Sequence, residues 1–367
     1  MITAVRIENF KAFTDVALDI SPLTLFTGKN GMGKSSFIQS LLLLRQSYLE
    51  DKSLSELTIN GKLVSIGIGK DLLNIHAVDD IVRFGLQFNS EVFDLSYTAV
   101  ASLDKLIADK TSDLTNIHLQ ALFTNHFQYL NAERIVPSRT YAASPSAVEI
   151  SRSLGEKGQY TVHFLDKYKF EPLRNPSINH PNAKSMTLLD NVNAWLSEIS
   201  SEVRVKPRYH PDLLISTLSF EFLEGTDTTP EFASLNTGFG LTYVLPVIVA
   251  ILSAESGDLL IIENPESHLH PQGQATLGRL LAMGAAAGIQ ILVESHSDHL
   301  FNGMRVAIKE GILSENDFSV YFFSRESEYH SVNIDQPLVD SNGRLSYQPS
   351  GFFDEYGKQL GQIIQNG

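Results

Sequence analysis

A phosphate-binding loop is encoded by Gly28-Lys29-Asn30-Gly31-Met32-Gly33-Lys34-Ser35. The spacing is G-x-x-x-x-G-K-[ST], in which the glycines let successive backbone N–H groups turn inward toward phosphate oxygens. Lys34 supplies a positive charge for the β- and γ-phosphates, and Ser35 supplies a hydroxyl for Mg²⁺. A helix N-terminus at this position also favours a bound anion. The stretch therefore predicts a site for a nucleoside triphosphate and its metal ion.

The residues on either side of this loop have the pattern that the motif requires. Residues 23–27 are mostly apolar and predict a buried strand before the loop. Residues 37–44 are rich in Leu and Ile and predict a helix after it. Strand, loop and helix in this order form the local structure in which such a loop holds phosphates.

Composition excludes several classes of protein. The chain has 367 residues, of which 43% are hydrophobic and 19% are charged, so it has enough apolar residues for one large domain or two. The absence of cysteine excludes disulfides and thiolate metal sites. The N-terminus lacks the pattern of a signal peptide, and no apolar run reaches the length of a membrane span. We therefore expect a cytoplasmic protein with no membrane partner.

The charge distribution bears on nucleic-acid binding. The formal net charge is −14, which argues against a surface that is basic all over. The middle of the chain is its most basic part and leaves open a local basic groove, although ordinary solvated faces are the simpler interpretation. The basic residues of this part are Lys167, Lys169, Arg174, Lys184, Arg204, Lys206 and Arg208.

The alternation of apolar strands with helices predicts an α/β fold with a mostly parallel sheet covered on both faces. Further along the chain, strands are predicted at residues 63–66, 82–86, 213–222, 258–263 and 289–293. Helices are predicted at residues 190–203, 271–287, 298–309 and 356–364. Residues 58–100 look rich in β-structure, and no long coiled coil is expected.

Two later strands end in residues that could complete the phosphate site. Residues 259–262 are apolar and are followed by Glu263, which places a carboxylate where Mg²⁺ is held in nucleotide sites. The next predicted strand is followed by Ser295-His296-Ser297, which can present an imidazole. Because ligands of parallel sheets lie outside the carboxyl ends of the strands, we expect both to meet the loop there.

These motifs together resemble ABC-type ATPase heads of the SMC, RecF and OLD kind. The resemblance extends over about half of the chain, and the wider group includes compact bacterial ATPases of anti-phage defence operons. Its motifs are Ile7-Glu8-Asn9-Phe10-Lys11-Ala12-Phe13, the loop from Gly28 to Ser36, the ABC-signature-like Leu235-Asn236-Thr237-Gly238-Phe239, the stretch from Glu263 to Pro271, Ser295-His296-Ser297, and Gly351-Phe352-Phe353-Asp354-Glu355.

The resemblance implies a P-loop NTPase of the ABC-ATPase head type with three parts. Residues 1–100 and 216–316 would form the head, which includes an antiparallel β region. Residues 101–215 would be a mixed α/β insertion that faces a partner or DNA. Residues 317–367 would be a small C-terminal module packed on the head.

The resemblance also implies roles for individual residues. Ser35 and Glu263 would hold Mg²⁺, and His296 would sense the γ-phosphate. Asn236 and Gly238 would contact the nucleotide of a second subunit, so that ATP joins two heads in a homodimer or a higher oligomer. The implied ATP-binding residues are Lys11, Gly28, Lys29, Asn30, Gly31, Met32, Gly33, Lys34, Ser35, Ser36, Asn236 and Gly238.

The acidic motif departs from the family pattern. Family members usually have Asp-Glu at this strand end, whereas this chain has Glu263-Asn264. An asparagine can orient a water molecule but cannot accept its proton, and Glu266 could supply the missing carboxylate. The expected catalytic set is therefore Glu263, Asn264, Glu266 and His296, with slow ATP hydrolysis.

Three functions follow as alternatives. The first is an ATP-gated switch that controls a protein effector, such as a nuclease, in anti-phage defence. The second is a RecF-type clamp that grips duplex DNA for repair or recombination. An intrinsic OLD-type nuclease is disfavoured because too few residues follow the head for a typical domain. It is also disfavoured because no tight carboxylate cluster is evident among Glu326, Glu328, Asp335 and Asp340.

Plainer interpretations stay open for several residues. Glu263 could be a solvated strand end, His296 a helix cap, and Asn236 with Gly238 a simple cap and turn. We expect His268 and His270 to pack at a dimer interface, because two histidines are too few for a zinc site. Arg134 and Arg139 are candidate site residues by resemblance, and Phe352 with Phe353 are expected in the core.

Overall fold

The computed structural model describes residues 1–89, 91–200, 202–224, 227–325 and 332–365. Its strands are β1 (Ala4–Phe10), β2 (Phe13–Asp19), β3 (Leu23–Gly28), β4 (Glu56–Thr58), β5 (Ile81–Phe88), β6 (Glu91–Thr98), β7 (Lys105–Thr111), β8 (Phe127–Leu130), β9 (Tyr141–Ala142), β10 (Val203–His210), β11 (Ile215–Glu224), β12 (Asp227–Thr228), β13 (Phe232–Ala233), β14 (Leu259–Glu263), β15 (Gln290–Glu294), β16 (Phe318–Arg325) and β17 (Val332–Asp335). Its α-helices are α1 (Lys34–Glu50), α2 (Gly69–Leu72), α3 (Thr161–Tyr168), α4 (Leu188–Ile199), α5 (Phe239–Ser253), α6 (Pro271–Ala286), α7 (Asp298–Lys309) and α8 (Glu355–Gln365).

The central sheet has the strand order β17-β16-β3-β15-β14-β8. All of its pairings are parallel except the one between β16 and β17. Glu294 is the register partner of Phe26 on one side and of Glu263 on the other. The carboxyl ends of β3, β15 and β14 therefore meet at one edge, as the sequence predicts.

Two hydrophobic cores cover the two faces of the central sheet. Leu259 and Ile261 of β14 point into one core, while Leu260 and Ile262 point into the other. The first core lies under α1 and the antiparallel strands, and the second lies under α3 to α7. Burial of each such side chain contributes roughly 2 kcal/mol, so apolar burial holds this short strand in place. The predicted α/β fold with both faces covered is confirmed.

An antiparallel sheet with the order β2-β1-β5-β6-β7-β4 forms the β-rich region expected near residues 58–100. The strand predicted at residues 63–66 is wrong, because only an isolated bridge joins Asn60 and Ser65 there. The Asn60 side chain accepts hydrogen bonds from the N–H groups of Ile66 and Gly67. This local bonding closes a loop instead of extending a strand.

Residues 101–215 contribute to all three sheets. β7 lies in the antiparallel sheet and β8 is the edge strand of the central sheet. β10 pairs with β11 in a smaller sheet that also includes β9, β12 and β13, and α3 packs against both β10 and β11. The division of the chain at residues 101 and 216 stays a prediction.

The C-terminal stretch contributes to the central sheet and to the core, and its division from the rest of the chain at residue 317 stays a prediction. β16 pairs with β3 inside the central sheet. The Phe352 side chain is 1% exposed and its ring contacts Phe301 and Phe322, which confirms its place in the core. Phe353 is half-buried on the same cluster. No helix in the described part of the chain combines the length and the apolar character of a membrane span.

Candidate nucleotide site

The phosphate loop, residues 28–35, connects the end of β3 to the start of α1. Gly28, Gly31 and Gly33 all have positive φ angles, which glycine adopts without strain. A Cβ at Gly28 would lie 2.1 Å from the backbone oxygen of Phe323 on β16, so the loop runs against its neighbouring strand. The loop from Lys29 to Gly31 is exposed, which leaves the cradle open to a ligand.

Lys34 is held inside the loop by backbone oxygens. Its side chain is 3% exposed, and its Nζ donates to the backbone oxygens of Gly28 and Lys29, both at 2.9 Å. Burial lowers the pKa of Lys34. No side chain caps the N-terminus of α1, so its first N–H groups are free of side-chain acceptors. Both features fit a bound phosphate, which supplies acceptors for Lys34 and for these N–H groups.

Three further residues predicted to bind ATP are Met32, Ser36 and Lys11. The Met32 side chain packs on the core beneath the loop, and Ser36 is half-buried in the first turn of α1. Lys11 has a φ of 47° and its Nζ donates to Oε1 of Gln39 at 2.7 Å. A contact between Lys11 and the nucleotide therefore stays a prediction.

Glu294, at the end of β15, faces the phosphate loop directly. Ser35 Oγ donates to Oε1 and Oε2 of Glu294 at 3.2 and 3.0 Å, and Lys34 Nζ lies 3.9 Å from Oε1. Burial, reinforced by the negative charge of Glu263, raises the pKa of Glu294 to about 7. Glu294 is not among the site residues predicted from the sequence. The signal was present, because Leu292-Val293-Glu294 repeats the pattern of Ile261-Ile262-Glu263.

Glu263, the predicted Mg²⁺ ligand, accepts hydrogen bonds on the side of β14 that lies away from the phosphate loop. Its Oε1 accepts from the Tyr129 hydroxyl at 2.9 Å, and its Oε2 accepts from the Ala132 N–H at 3.2 Å. Both donors belong to β8 or the segment after it, on the side of β14 away from the loop. Burial raises the pKa of Glu263, and the two hydrogen bonds oppose that rise.

Arg134 fixes the backbone of the turn that begins at Glu263. Its guanidinium donates to the backbone oxygen of Glu263 at 2.5 Å and to that of Asn264, a residue with a φ of 44°. It also lies over the ring of Tyr243 on α5, 4.2 Å from the centroid. Arg134 is 5% exposed, and burial lowers its pKa to about 10. Arg134 is thus a positioning residue, whereas Arg139 is exposed.

Glu266 and His296 meet at the same edge. Oε1 of Glu266 accepts the backbone N–H of His296 at 3.0 Å, and burial raises the pKa of this carboxyl. The His296 side chain is exposed, and burial of part of the ring together with the charge of Lys34 lowers its pKa. The predicted switch residue therefore lies beside the loop with a preference for the neutral imidazole.

Several buried polar atoms at this edge lack a hydrogen-bond partner among the described residues. They are Oδ1 of Asn131, Nε of Arg134, Oδ1 of Asn264 and Oε2 of Glu266. Buried atoms of this kind are rare, and three of these four are oxygens that could accept from water or bind a cation. Within the described ranges, no three acidic or histidine side chains converge to hold a metal alone. The donor set fits Mg²⁺ that is also bound by nucleotide phosphates, with Ser35 and a strand-end carboxylate as protein ligands.

The signature turn, residues 235–239, lies at the start of α5 and is largely exposed. Asn236, Gly238 and Phe239 are exposed, and a Cβ at Gly238 would meet no atom within 4 Å. The N-terminus of α5 has no side-chain cap. The first N–H groups of this helix therefore have no side-chain acceptor at the cap position.

The first turn of α5 lies close to the acidic turn, residues 263–268, which follows β14. A Cβ at Gly240 would lie 2.5 Å from the backbone oxygen of His268, so only glycine fits this approach. The His268 ring packs between Phe239 and Tyr243, at 4.4 and 5.2 Å between centroids. His270 is exposed at the N-terminus of α6. A dimer-interface role for the two histidines stays a prediction.

Comparison with known proteins places the chain in a family. A family model described as "AAA domain, putative AbiEii toxin, Type IV TA system" matches residues 23–302. A second, described as "Protein of unknown function (DUF3696)", matches residues 313–363. No curated protein matches the chain.

Solved structures match the fold. An SMC head bound to the C-winged helix domain of ScpA is 12% identical, with a TM-score of 0.56 over 92% of this chain and 98% of that one. An SMC head with an extended coiled coil, bound to the C-terminal domain of ScpA and derived from Pyrococcus furiosus, is 11% identical, with a TM-score of 0.51 over 99% of both chains. At such identities the likeness shows the fold alone, and it confirms the predicted ABC-ATPase head type.

Proposed function

We propose that this chain, which belongs to the AAA-domain family matched over residues 23–302 and is an ATPase of that family, works as an ATP-gated switch. In this proposal ATP joins two copies of the chain, and the joined form controls a protein effector in bacterial anti-phage defence. The description of the family includes a toxin of a toxin–antitoxin system, which supports an effector-linked role.

The observation that carries the proposal is the contrast between a formed phosphate loop and an exposed signature turn. Lys34 and Ser35 are already ordered beside Glu294, so one chain can hold phosphates. Asn236 and Gly238 are exposed at the start of α5, where no side chain caps the helix. A second copy of the chain would place its bound nucleotide there and complete both sites by two-fold symmetry.

The packing of α5 offers a route from this interface to the acidic turn. Phe239 and Tyr243 pack on His268, and Tyr243 also lies under the Arg134 guanidinium. Arg134 in turn binds the backbone of Glu263. A displacement of the exposed end of α5 on dimer formation would therefore change the position of the residues that act on ATP.

The chain supplies groups for hydrolysis at this edge. When bound, Mg²⁺ supplies charge neutralisation for the phosphates. Oε2 of Glu266 and Oδ1 of Asn264 are buried and have no hydrogen-bond partner among the described residues. In this proposal Asn264 orients a water molecule and Glu266 accepts its proton. Because Asn264 stands where the family usually has a carboxylate, we propose slow hydrolysis, so that the chain mostly holds ATP. Turnover of many ATP per second by the purified chain would contradict this.

The alternative of a DNA clamp is disfavoured by the ion pairs of the basic middle region. Five of its seven basic side chains form salt bridges, which neutralises the charge that phosphates would need. They are Lys167, Lys169, Arg174, Lys206 and Arg208. Tight, salt-sensitive binding of duplex DNA would restore this alternative. For the nuclease alternative, Glu326 and Glu328 lie outside the described residues.

Light scattering coupled to size-exclusion chromatography tests the proposal. With Mg²⁺ and ATPγS we expect the mass of the wild-type chain to double, and without nucleotide we expect a monomer. Glu266→Gln should keep the ATP-bound dimer and lower hydrolysis, because the proposed proton acceptor is removed. A mass that is the same with and without nucleotide would refute the switch, and unchanged hydrolysis in Glu266→Gln would remove Glu266 from the mechanism. Mass spectrometry of proteins that co-purify with the ATP-bound dimer would identify the effector.

A further inference from the structure

The two carboxylates that end neighbouring strands of the central sheet face opposite directions. Glu263 and Glu294 are register partners on β14 and β15, so their Cα atoms are adjacent. Both oxygens of Glu263 are taken by Tyr129 and Ala132, on the side of β8. Both oxygens of Glu294 accept from Ser35 on the side of the phosphate loop. The two acids therefore cannot have the same task in the arrangement that the structure shows.

Glu294 is the acid nearer to the hydroxyl that is expected to bind the ion. β15 lies between β3 and β14, so Glu294 ends one strand closer to the loop than Glu263 does. Its side chain is 8% exposed and that of Lys34 is 3% exposed, so both are buried. A carboxylate about 3 Å from a metal-binding hydroxyl can share an ion with it after a small adjustment, because Mg²⁺ accepts hard oxygen ligands at close range.

Glu263 would have to lose two hydrogen bonds to reach the same place. Each bond to an ionised carboxylate is worth roughly twice a neutral one, and the Tyr129 hydroxyl is buried, so it would be left without this acceptor. The bonds that hold Glu263 also tie β14 to β8 and to the Ala132 segment. These contacts fit a residue that orients its surroundings.

We propose, on the basis of the proposed function, that Glu294 is the carboxylate that holds Mg²⁺ together with Ser35, while Glu263 is a positioning residue behind it. This assignment replaces the expectation that Glu263 alone supplies the acid. It also gives a reason for a buried acid beside Lys34, since a divalent cation would offset the mutual repulsion of Glu263, Glu266 and Glu294.

The test uses Mn²⁺ as the probe, titrated into the full chain with ATPγS and followed by the electron paramagnetic resonance signal of free Mn²⁺. We expect Glu294→Gln to weaken Mn²⁺ binding at least tenfold and Glu263→Gln to weaken it less than threefold. Glu294→Asp, which keeps the charge on a shorter side chain, should recover part of the affinity. Equal losses in the two glutamine variants, or a larger loss in Glu263→Gln, would overturn the assignment.

A second measurement separates a metal ligand from a residue that only supports the fold. In EDTA, calorimetry should show Glu294→Gln binding ATPγS at least as tightly as the wild type, because one negative charge near the phosphates is removed. A merely structural role predicts weaker binding there as well. If the wild-type chain binds no ATPγS with Mn²⁺, both proposals fail. If it binds and only the order of the two glutamine variants is reversed, the assignment of Glu294 fails alone.

Discussion

The phosphate loop and the signature turn are built in opposite ways. In the loop, Lys34 is 3% exposed and is held by backbone oxygens and by the nearby Glu294. In the signature turn, Asn236 and Gly238 are exposed, and the helix that follows has no side-chain cap. In the proposed switch, the loop is the half of the nucleotide site that one chain organises by itself, and the signature turn is the half that a second copy of the chain would complete. On this proposal one chain could bind ATP without responding to it.

The largest expected effect comes from Arg134, whose guanidinium binds the backbone of the acidic turn. Arg134→Met should lower the free energy of unfolding by about 4 kcal/mol, because the backbone oxygens of Glu263 and Asn264 would stay buried without their donor. Urea denaturation measures this. The matched control is Arg139→Met, at an exposed position, which should change stability by less than about 0.5 kcal/mol. Similar losses in both variants would show that the acidic turn does not depend on this guanidinium.

The next effect concerns Glu294 in the absence of metal and nucleotide. The pKa of Glu294 in the fold is about 7, above its ordinary value of 4.5, so the ionised form is disfavoured by folding. The sign follows from linkage: this carboxyl costs nothing below about pH 4.5 and destabilises increasingly as the pH rises to about 7. At pH 8, Glu294→Gln should therefore be more stable than the wild type by about 3 kcal/mol.

Chemical denaturation in EDTA at pH 8 and near pH 4.5 measures this difference. The gain in stability should disappear at the lower pH, where both chains carry a neutral side chain. A gain of the same size at both values would mean that packing, and not ionisation, distinguishes the two side chains.

A somewhat smaller effect is expected for nucleotide binding by the loop. Lys34→Ala should weaken ATPγS binding by about 100-fold, equivalent to about 2.7 kcal/mol, because the charge that faces the phosphates is removed. Lys29→Ala is the control, since its side chain is exposed and the hydrogen bond from Lys34 goes to its backbone oxygen. Calorimetry should show less than a threefold change for this control, and a comparable loss would mean that surface charge alone attracts the nucleotide.

The smallest effect is expected at the signature turn, which in the proposal contacts the nucleotide of a second subunit. Asn236→Ala should weaken ATP-dependent dimer formation by about tenfold, equivalent to about 1.4 kcal/mol, and leave the affinity of one chain for ATPγS unchanged. Analytical ultracentrifugation gives the first value and calorimetry of dilute protein gives the second. Loss of nucleotide affinity in this variant would place Asn236 in the site of its own chain.

The sequence predicted the elements in which local pattern and tertiary burial agree. β14 and β15 are short, almost wholly apolar strands, and their parallel pairing follows from the helices between them. α7 begins at Asp298 as predicted, because the Ser297 side chain caps it. Residues 63–66 have a strand-like composition, but the N–H groups of Ile66 and Gly67 donate to the Asn60 side chain instead of to a neighbouring strand.

The candidate site was predicted less completely than the fold. Glu263 was found because a motif names that position, and Glu294 was missed because no motif names the end of β15. The partners of Glu263 could not be predicted, since Tyr129 lies 134 residues away in the chain. β8 has only four residues, too few for a periodic pattern to indicate that it is the edge strand beside β14.

The approach of Gly240 to the backbone oxygen of His268 has a consequence for how this chain can vary. Any side chain at that position would force the first turn of α5 away from the acidic turn, while the buried body of the helix, from Leu241 to Leu252, would keep its place in the core. A random-mutagenesis screen for folded but unresponsive protein should therefore return substitutions at Gly240 more often than at the exposed Gly238. The absence of a side chain at Gly240 would then be needed for the response to ATP but not for folding.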